Sequence, residues 1–390
     1  MPVINRFAEL APAITEWRRE LHRHPELEVD THRTAAMVAE RLAAFGCDEV
    51  ATGIGRTGVV GVIRGRSDGA GRVIGLRADM DALPITETSG VAWASQSPGK
   101  MHACGHDGHT AMLLGAAQYL AETRNFDGTA VVIFQPAEEG GGGAKVMVDE
   151  GLMERFGIQE VYGMHNRPGL PIGSFALCPG PIMASADQFT IVVTGTGTHA
   201  GMPHCGVDTT LIGSQIVVAL QSIVARQVDP VKSAVVSVTS FRTESETYNV
   251  IPERVELRGT VRTLDPGVQD LVEARVRELV PGIAAALGGR AKVDYERGYP
   301  VTVNAARETG FAAAVAAAVS GAERVDAAAA PVTGAEDFSF MLERRPGAFI
   351  FMGNGDTAGL HHPDYDFNDE AIPVGCSYWV KLIETALPAA

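Results

Sequence analysis

The chain is short of basic residues, with 32 Lys and Arg against 47 Asp and Glu and a formal net charge of −15. Nucleic-acid grooves and anionic membrane surfaces are held by clustered Lys and Arg, so neither is expected as a partner; a small molecule is. Long apolar runs are missing too: no stretch of roughly 18 apolar residues, enough to span a bilayer, occurs. The opening MPVINRFAELAPAITEW lacks the basic start and unbroken apolar stretch of a secretory leader, and a cytoplasmic protein is expected. Cysteine is scarce. The five residues Cys47, Cys104, Cys178, Cys205 and Cys376 are odd in number and widely spaced, which suits free thiols in a reducing compartment. No repeat with a period of roughly 20 to 50 residues is visible. The glycines at 140–143 lack both G-x-G-x-x-G spacing and the Lys-Ser/Thr of a phosphate loop, and are expected to form a tight turn into a helix at Ala144.

What is present is an ordinary globular composition, 46% apolar, in 390 residues. At about 150 residues per domain that length allows two or three domains, and the residue pattern favours two. Leu10, Ile14, Trp17 and Leu21 stand at helical spacing before the turn at His24-Pro25, and a second helix is expected over 33–45. Apolar runs at 59–63, 73–76, 130–134 and 161–164 read as strands, with helical patterns at 110–122 and 144–155. The alternation predicts an α/β body with a mixed, largely parallel sheet and helices on both faces. From residue 184 the order becomes strand 188–193, helix 208–228, strands 234–241 and 254–262, helix 266–287 and strand 291–296, with Asp208 as a cap. That is the ferredoxin-like α+β order, expected as an insertion over 184–298. The catalytic body then comprises 1–183 and 299–390, closing with helices near 311–319 and 374–385 and an apolar run at 348–352.

The chemistry centres on HACGHDGH, from His102 to His109. A thiolate at Cys104 and an imidazole at His106 favour zinc and its neighbours over calcium or magnesium. Other polar residues follow predicted strands, where open α/β sheets bind ligands: Asp79 and Asp81, Glu138 and Glu139, and His165. Candidate ligands are Cys104, His106, Glu139, His165 and His361, more than one tetrahedral site needs. Two metals roughly 3.5 to 4 Å apart suit that count, and Glu138 beside a ligand is then free to act as general base. A cysteine nucleophile, Cys104 with His106 as base, is the alternative, but it leaves Glu139, His165 and His361 unused. A metal- or ligand-holding protein without chemistry leaves Glu138 without a task. His22, His24, His32 and His204 read as helix-end, turn or surface residues, and His102 and His109 as structural or supporting partners of the ligands.

Nine motifs in order resemble the amidohydrolase branch of the M20 metallopeptidases, the hippurate hydrolases, indole-3-acetyl-amino-acid hydrolases and N-acyl-amino-acid amidohydrolases. They are HRHPEL (22–27), LRADMDALP (76–84), HACGHDGH (102–109), FQPAEEGGGGA (134–144), GMHNRPGLPIG (163–173), GTHAGMPH (197–204), NVIPERVELRGTVRTLD (249–265), GAEDFSF (334–340) and LHHPDYDFND (360–369). The resemblance implies that Cys104, His106, Glu139, His165 and His361 hold two divalent ions (Mn, Zn, Co or Ni) and that Glu138 is the general base. It further implies that Asp81 orients the metal site and that His199, in the inserted domain, reaches the reacting carbonyl, often from a partner subunit. Asn249 and Arg262 match positions that hold polar groups of the substrate. The expected substrate is an N-acyl amino acid, and the expected assembly a homodimer or tetramer built through an inserted domain that also closes over substrate. His361 is preferred over His362 because relatives use the histidine two places before the proline. The chain departs from the family in HPELEVD, at 24–30, and at Thr333, neither of which touches a ligand.

Overall fold

The structure, a computed structural model, describes residues 3–69 and 71–389. The chain divides into two compact units, one running up to Ile182 and taking in Val303–Ala330 and the residues from Asp337 onward, the other comprising Met183–Thr302 and Pro331–Glu336. Met183 and residues 299–302 and 331–336, expected in the catalytic body, group with the second unit. The Ala184 N–H donates to the carbonyls of Val332 and Gly334, at 3.1 and 2.9 Å, which fastens the returning segment there.

The first unit is built on an eight-stranded mixed sheet. Strands β1 (Glu49–Ile54), β2 (Gly58–Arg64), β3 (Val73–Asp79), β4 (Thr129–Gln135) and β5 (Glu160–Arg167) are joined by Gly347–Gly353, Phe175–Ala176 and Val325–Asp326, in the order β1-β2-β4-β3-β5 and then those three. β4, β3, β5 and Gly347–Gly353 run parallel, while β1 and β2 extend the sheet antiparallel. The four parallel strands are almost wholly buried, which is why they read as unbroken apolar runs instead of alternating. β1 escaped the sequence reading because EVATGI mixes exposed and buried positions without a clear period.

Helix α1 (Arg6–Arg23) precedes α2 (His32–Ala44), and α3 (His106–Thr123) follows β3. α3 is buried along nearly its whole length, packed by α1 and by the last helix, Ile372–Ala386. It starts four residues earlier than expected, so His106, Asp107 and His109 form its first turn. Gly105, at φ +90°, supplies the turn into it, and a Cβ there would lie 2.1 Å from the Asn166 amide nitrogen and 2.5 Å from the Tyr365 hydroxyl. The pattern at 144–155 forms two short helices, Gly143–Asp149 and Leu152–Arg155, because Gly151 turns left-handed (φ +85°) between them.

The second unit is a four-stranded antiparallel sheet, in the order Ala234–Thr243, Arg254–Thr263, Ala186–Thr194, Arg290–Tyr299. Two helices, Thr209–Arg226 and Pro266–Ala286, share a core with it that includes Phe189, Ile191, Ile216, Leu257, Val272 and Val276. Asp208 and Asp265 cap these helices, each accepting two backbone N–H bonds. Thr209–Arg226, with mean hydropathy 1.2, is long and apolar enough to cross a membrane, although the sequence reading found no such run. It is amphipathic: Ile212, Ile216, Leu220 and Ile223 are buried in the unit's core, whereas Leu211 and Val218 are exposed.

Candidate metal centre

β3 ends at Asp79, with Asp81 two residues on; β4 ends at Gln135, with Glu138 and Glu139 just beyond. His165 lies inside β5, which runs two residues past it, and does not follow the strand as expected. Cys104 and His106 arrive with the turn into α3, and His361 with the segment after Gly347–Gly353. These side chains meet at the carboxyl ends of the parallel strands. Within each of three groups the donor atoms lie within 4.8 Å of one another: Cys104, His106 and His165; Cys104, Glu139 and His361; His106, Glu138 and Glu139. All five sequence-predicted ligands and Glu138 are therefore brought together.

Asp81 organises this rim through both its carboxylate and its backbone. Its two carboxylate oxygens accept the N–H groups of Glu138 and Glu139, each at 3.0 Å. Its carbonyl oxygen faces His106 Nδ1 at 2.8 Å. His106 thus donates from Nδ1, and its Nε2 is buried without a hydrogen-bond partner. His165 repeats the arrangement, with Nδ1 on the Asn166 carbonyl at 2.7 Å and Nε2 facing Cys104 Sγ at 3.4 Å. Two imidazoles are held with Nε2 turned to a thiol and carboxylates, the orientation that metal-binding histidines take when a backbone acceptor fixes the other nitrogen. His361 Nε2 stands 3.2 Å from Glu139 Oε1, whereas His362 Nδ1 accepts the Asp364 N–H at 3.1 Å, which separates the two neighbours. His361 (φ +63°) and Ala137 (φ +58°) are non-glycine residues in the left-handed region, and each carries or adjoins a donor.

The electrostatics suit a cation. Burial, then the carboxylates of Glu139 and Glu138, push the Cys104 thiol well above its usual range. Burial alone would depress His106, yet Asp79 and Asp81 outweigh it and raise its pKa to about 10. His165 is lowered to about 3 by burial and by His109. For Glu139 burial opposes ionisation, but His361 and His106 win and hold its pKa down. The result is a buried, anion-rich pocket in which an added positive charge would favour the thiolate. Donors bound tetrahedrally to zinc stand roughly 3.4 to 3.6 Å apart, and the Cys104–His165 separation falls in that range. The residues fit a divalent metal.

Supporting residues lie behind the donors; Asp79, His102 and His109 are ones the sequence pointed to, whereas Arg77, Gln135, Asp337, Asn166 and Tyr365 are not. Asp79 accepts from His109 Nδ1 at 2.6 Å and pairs with Arg77 at 2.6 Å, and Arg77 also bonds Gln135 and Asp337. His109 Nε2 accepts the Asn166 N–H at 3.0 Å, and Tyr365 donates to Asn166 Oδ1 at 2.8 Å. His102 is buried with neither ring nitrogen hydrogen-bonded. His24, His32 and His204 are partly or largely exposed, but His22, expected at a helix end or surface, is wholly buried against Asp107 at 2.8 Å and Glu87 at 3.3 Å. Its place four residues after Arg18, on the buried stripe of α1, was the signal that could have shown this.

The other predicted residues belong to the second unit. His199 and Asn249 line one cleft of about 450 Å³ together with Glu244, Ser245 and Glu253. The backbone places them there: His199 pairs with Val250 in a short ladder, and the Ala200 N–H donates to the Asn249 carbonyl. His199 Nδ1 accepts the Gly201 N–H at 3.0 Å, so the ring's proton sits on Nε2 and that nitrogen is a donor. Arg262 is not in this cleft; it is half-buried on its strand and donates to Thr260 Oγ1 at 2.6 Å.

Known proteins place this geometry. The chain is 41% identical to a hippurate hydrolase from Campylobacter jejuni over 98% of both chains, and 39% identical to an N-acetylcysteine deacetylase from Bacillus subtilis over 94% of both. Among solved structures, the YXEP protein of Bacillus subtilis, described as a dinuclear metal binding peptidase from the M20 family, superposes with a TM-score of 0.84 at 34% identity, over 98% of this chain and all of that one. The model of peptidase family M20/M25/M40 matches residues 75–385. With that span and those identities, the chain belongs to peptidase family M20/M25/M40.

Proposed function

We propose that the protein is a metal-dependent amidohydrolase that splits the amide of N-acyl amino acids, hippurate-like or N-acetylated, into a carboxylic acid and a free amino acid. The observation that carries this reading is the Glu138-Glu139 pair, pinned through its backbone by Asp81, with Glu139 among the donors and Glu138 Oε2 4.0 Å from His106 Nε2. The named activities of the two relatives, a hippurate hydrolase and an N-acetylcysteine deacetylase, support the substrate class.

Cys104, His106, Glu139, His165 and His361 would hold two divalent ions, drawn from Mn, Zn, Co and Ni. Bound there, the ions would polarise the acyl carbonyl and ease deprotonation of water. Glu138 takes the proton from the attacking water and passes it to the leaving amine nitrogen. Asp81 fixes where both glutamates start, and so where that proton moves. His199, a donor at Nε2, steadies the negative charge that develops on the acyl oxygen, and Asn249 and Arg262 hold polar groups of the substrate. The second unit acts as a ferredoxin-like lid and dimerisation domain. In support, its edge strand Ala234–Thr243 leaves Val235 38% and Phe241 39% exposed, an edge suited to pairing with a second copy.

The test is turnover of a panel of N-benzoyl, N-acetyl and indole-acetyl amino acids by protein stripped with chelator and reloaded with each metal. Activity should vanish on stripping and return with metal; full activity in metal-free protein would defeat the reading. Cys104→Ser should lose metal and activity together. Retained metal with lost activity would favour a cysteine nucleophile instead.

A further inference from the structure

The buried stripe of α1 consists of Phe7, Leu10, Ile14, Arg18, Leu21 and His22. A guanidinium in that row is unexpected, since Arg18 is 0% exposed and burying a charge costs several kcal/mol unless partners offset it. Its partners come from two distant places. Arg18 Nε lies 2.9 Å from Asp107 Oδ2, itself wholly buried and next in sequence to His106. Arg18 also pairs with Asp366, and stands 3.6 Å from Asp369 Oδ1. These two aspartates follow His361 by five and eight residues.

We propose that Arg18 is a positioning residue for the metal centre, joining the helix turn that carries His106 to the segment that carries His361. This rests on the metal-centre reading above. One planar guanidinium reaches carboxylates on both segments at once, which an ammonium at the end of a flexible stem does not. Without it, the buried Asp107 and the part-buried pair Asp366 and Asp369 would present like charges to one another and press the two segments apart. The other direct ties carry no charge: the His361 N–H on the Ala103 carbonyl at 2.7 Å, and the Phe367 ring against Gly108; the Tyr365 hydroxyl reaches the turn only through Asn166. The other contacts of the network brace Arg18's partners. His22 holds Asp107, Trp93 Nε1 donates to Asp366 at 3.1 Å, and Arg19 pairs with Asp369 at 2.8 Å.

The experiment compares wild type, Arg18→Lys and, as a control on an exposed pair of the same helix, Arg6→Ala. Each is stripped of metal and titrated with Mn²⁺ or Zn²⁺ by calorimetry, with amide exchange over residues 360–369 and unfolding of the metal-free protein measured alongside. Losing a residue that supports metal ligands lowers affinity by about 10- to 100-fold, so Arg18→Lys should raise the metal Kd by at least about tenfold and speed exchange over 360–369. Saturating metal should bring its kcat/KM back to within about threefold of wild type, because the reacting groups themselves are intact. Arg6→Ala should match wild type. If the Arg18→Lys Kd stays within about twofold of wild type, whatever its stability, Arg18 only holds the fold together and the proposal fails. Should Arg18→Lys not fold, the double variant Asp366→Ala/Asp369→Ala removes both of Arg18's carboxylates on the His361 segment, leaves Asp107 paired and serves in its place: weaker metal binding supports the proposal and unchanged binding overturns it. A wild type that binds no metal would instead sink the metal-centre reading itself, an outcome the titration separates from the others.

Discussion

Asp81→Asn replaces a carboxylate with a near-identical shape and so isolates one function. In the native side chain, 1% exposed, each oxygen accepts one backbone N–H, from Glu138 and from Glu139, at 3.0 Å. The amide keeps one acceptor and turns an NH₂ group toward the other N–H, so one buried donor is left facing another donor. A hydrogen bond to a charged group contributes about 1.5 to 3 kcal/mol, and stranding a buried N–H costs a similar amount. At 1.36 kcal/mol per decade, that predicts amide exchange roughly ten- to a hundredfold faster at Glu138 or Glu139. The same loosening displaces the general base, and a displacement near 1 Å costs on the order of 10² in rate. The assay is amide exchange of a peptide covering 136–142 together with kcat at saturating metal. Exchange within about twofold of wild type, with kcat within about threefold, would refute the role given to Asp81.

Glu138→Gln should retain metal while kcat falls by about 10² to 10⁴, and a loss below about tenfold, with metal content confirmed by elemental analysis, would remove Glu138 as the base. His199→Ala should leave metal content unchanged and lower kcat by about 10². Mixing it with excess Glu138→Gln under subunit exchange should restore activity if the histidine serves a partner subunit, and should not if it serves its own. For His22 burial acts against protonation, but Asp107 prevails and raises its pKa from 6.5 to about 9. A raised pKa means that the stabilisation is complete below pH 6.5 and is lost as pH climbs through about 9, on the order of 3 kcal/mol. Because His106, raised to about 10, titrates over the same window, denaturant unfolding of metal-free wild type and His22→Asn at pH 6 and 9.5 should show a pH dependence larger in wild type by about that amount; equal pH dependence would contradict it.

Most strands and helices of both units were legible because their apolar periods are strong: each parallel strand was found to within a few residues at either end. The errors fell where local rules ran out. β1 lacks a period, and Gly151 cut a helical pattern that composition alone carries through. The donors could be found because Cys and His are rare, at 5 and 11 residues, and clustered enough to mark metal chemistry, and because Glu138 and Glu139 stand side by side after a strand. Some of their supports could too, Asp81 by the family resemblance and His102 and His109 by residue type; others could not. Asn166, Tyr365 and Arg18 are ordinary residues whose meaning comes from partners 50 to 350 positions away, as Arg18 with Asp107 and Asp366 shows. His22 was misread although it lies on the stripe marked by Leu10, Ile14 and Leu21; what the sequence does not announce is its partner, Asp107. Arg262 matches the family pattern, yet its place outside the cleft of His199 and Asn249 is set by strand register, which the motif does not carry.

His361 arrives from the far side of the last parallel strand, Gly347–Gly353, which completes the rim only by pairing with β5. A nascent chain that has emerged only through β5 already carries Cys104, His106, Glu139 and His165, but has neither that strand nor the fifth donor. Between the two lies the whole second unit, so synthesis must pass through an independent fold before the pocket can close. Contacts of such long sequence separation form late, and domains tend to fold as they appear. Metal capture is thereby placed after translation of nearly the entire chain, and a thiol, two imidazoles and a carboxylate are kept from competing for ions as an unfinished chelator. A ribosome-stalled series ending before and after residue 361 should show the change as a step in metal retention.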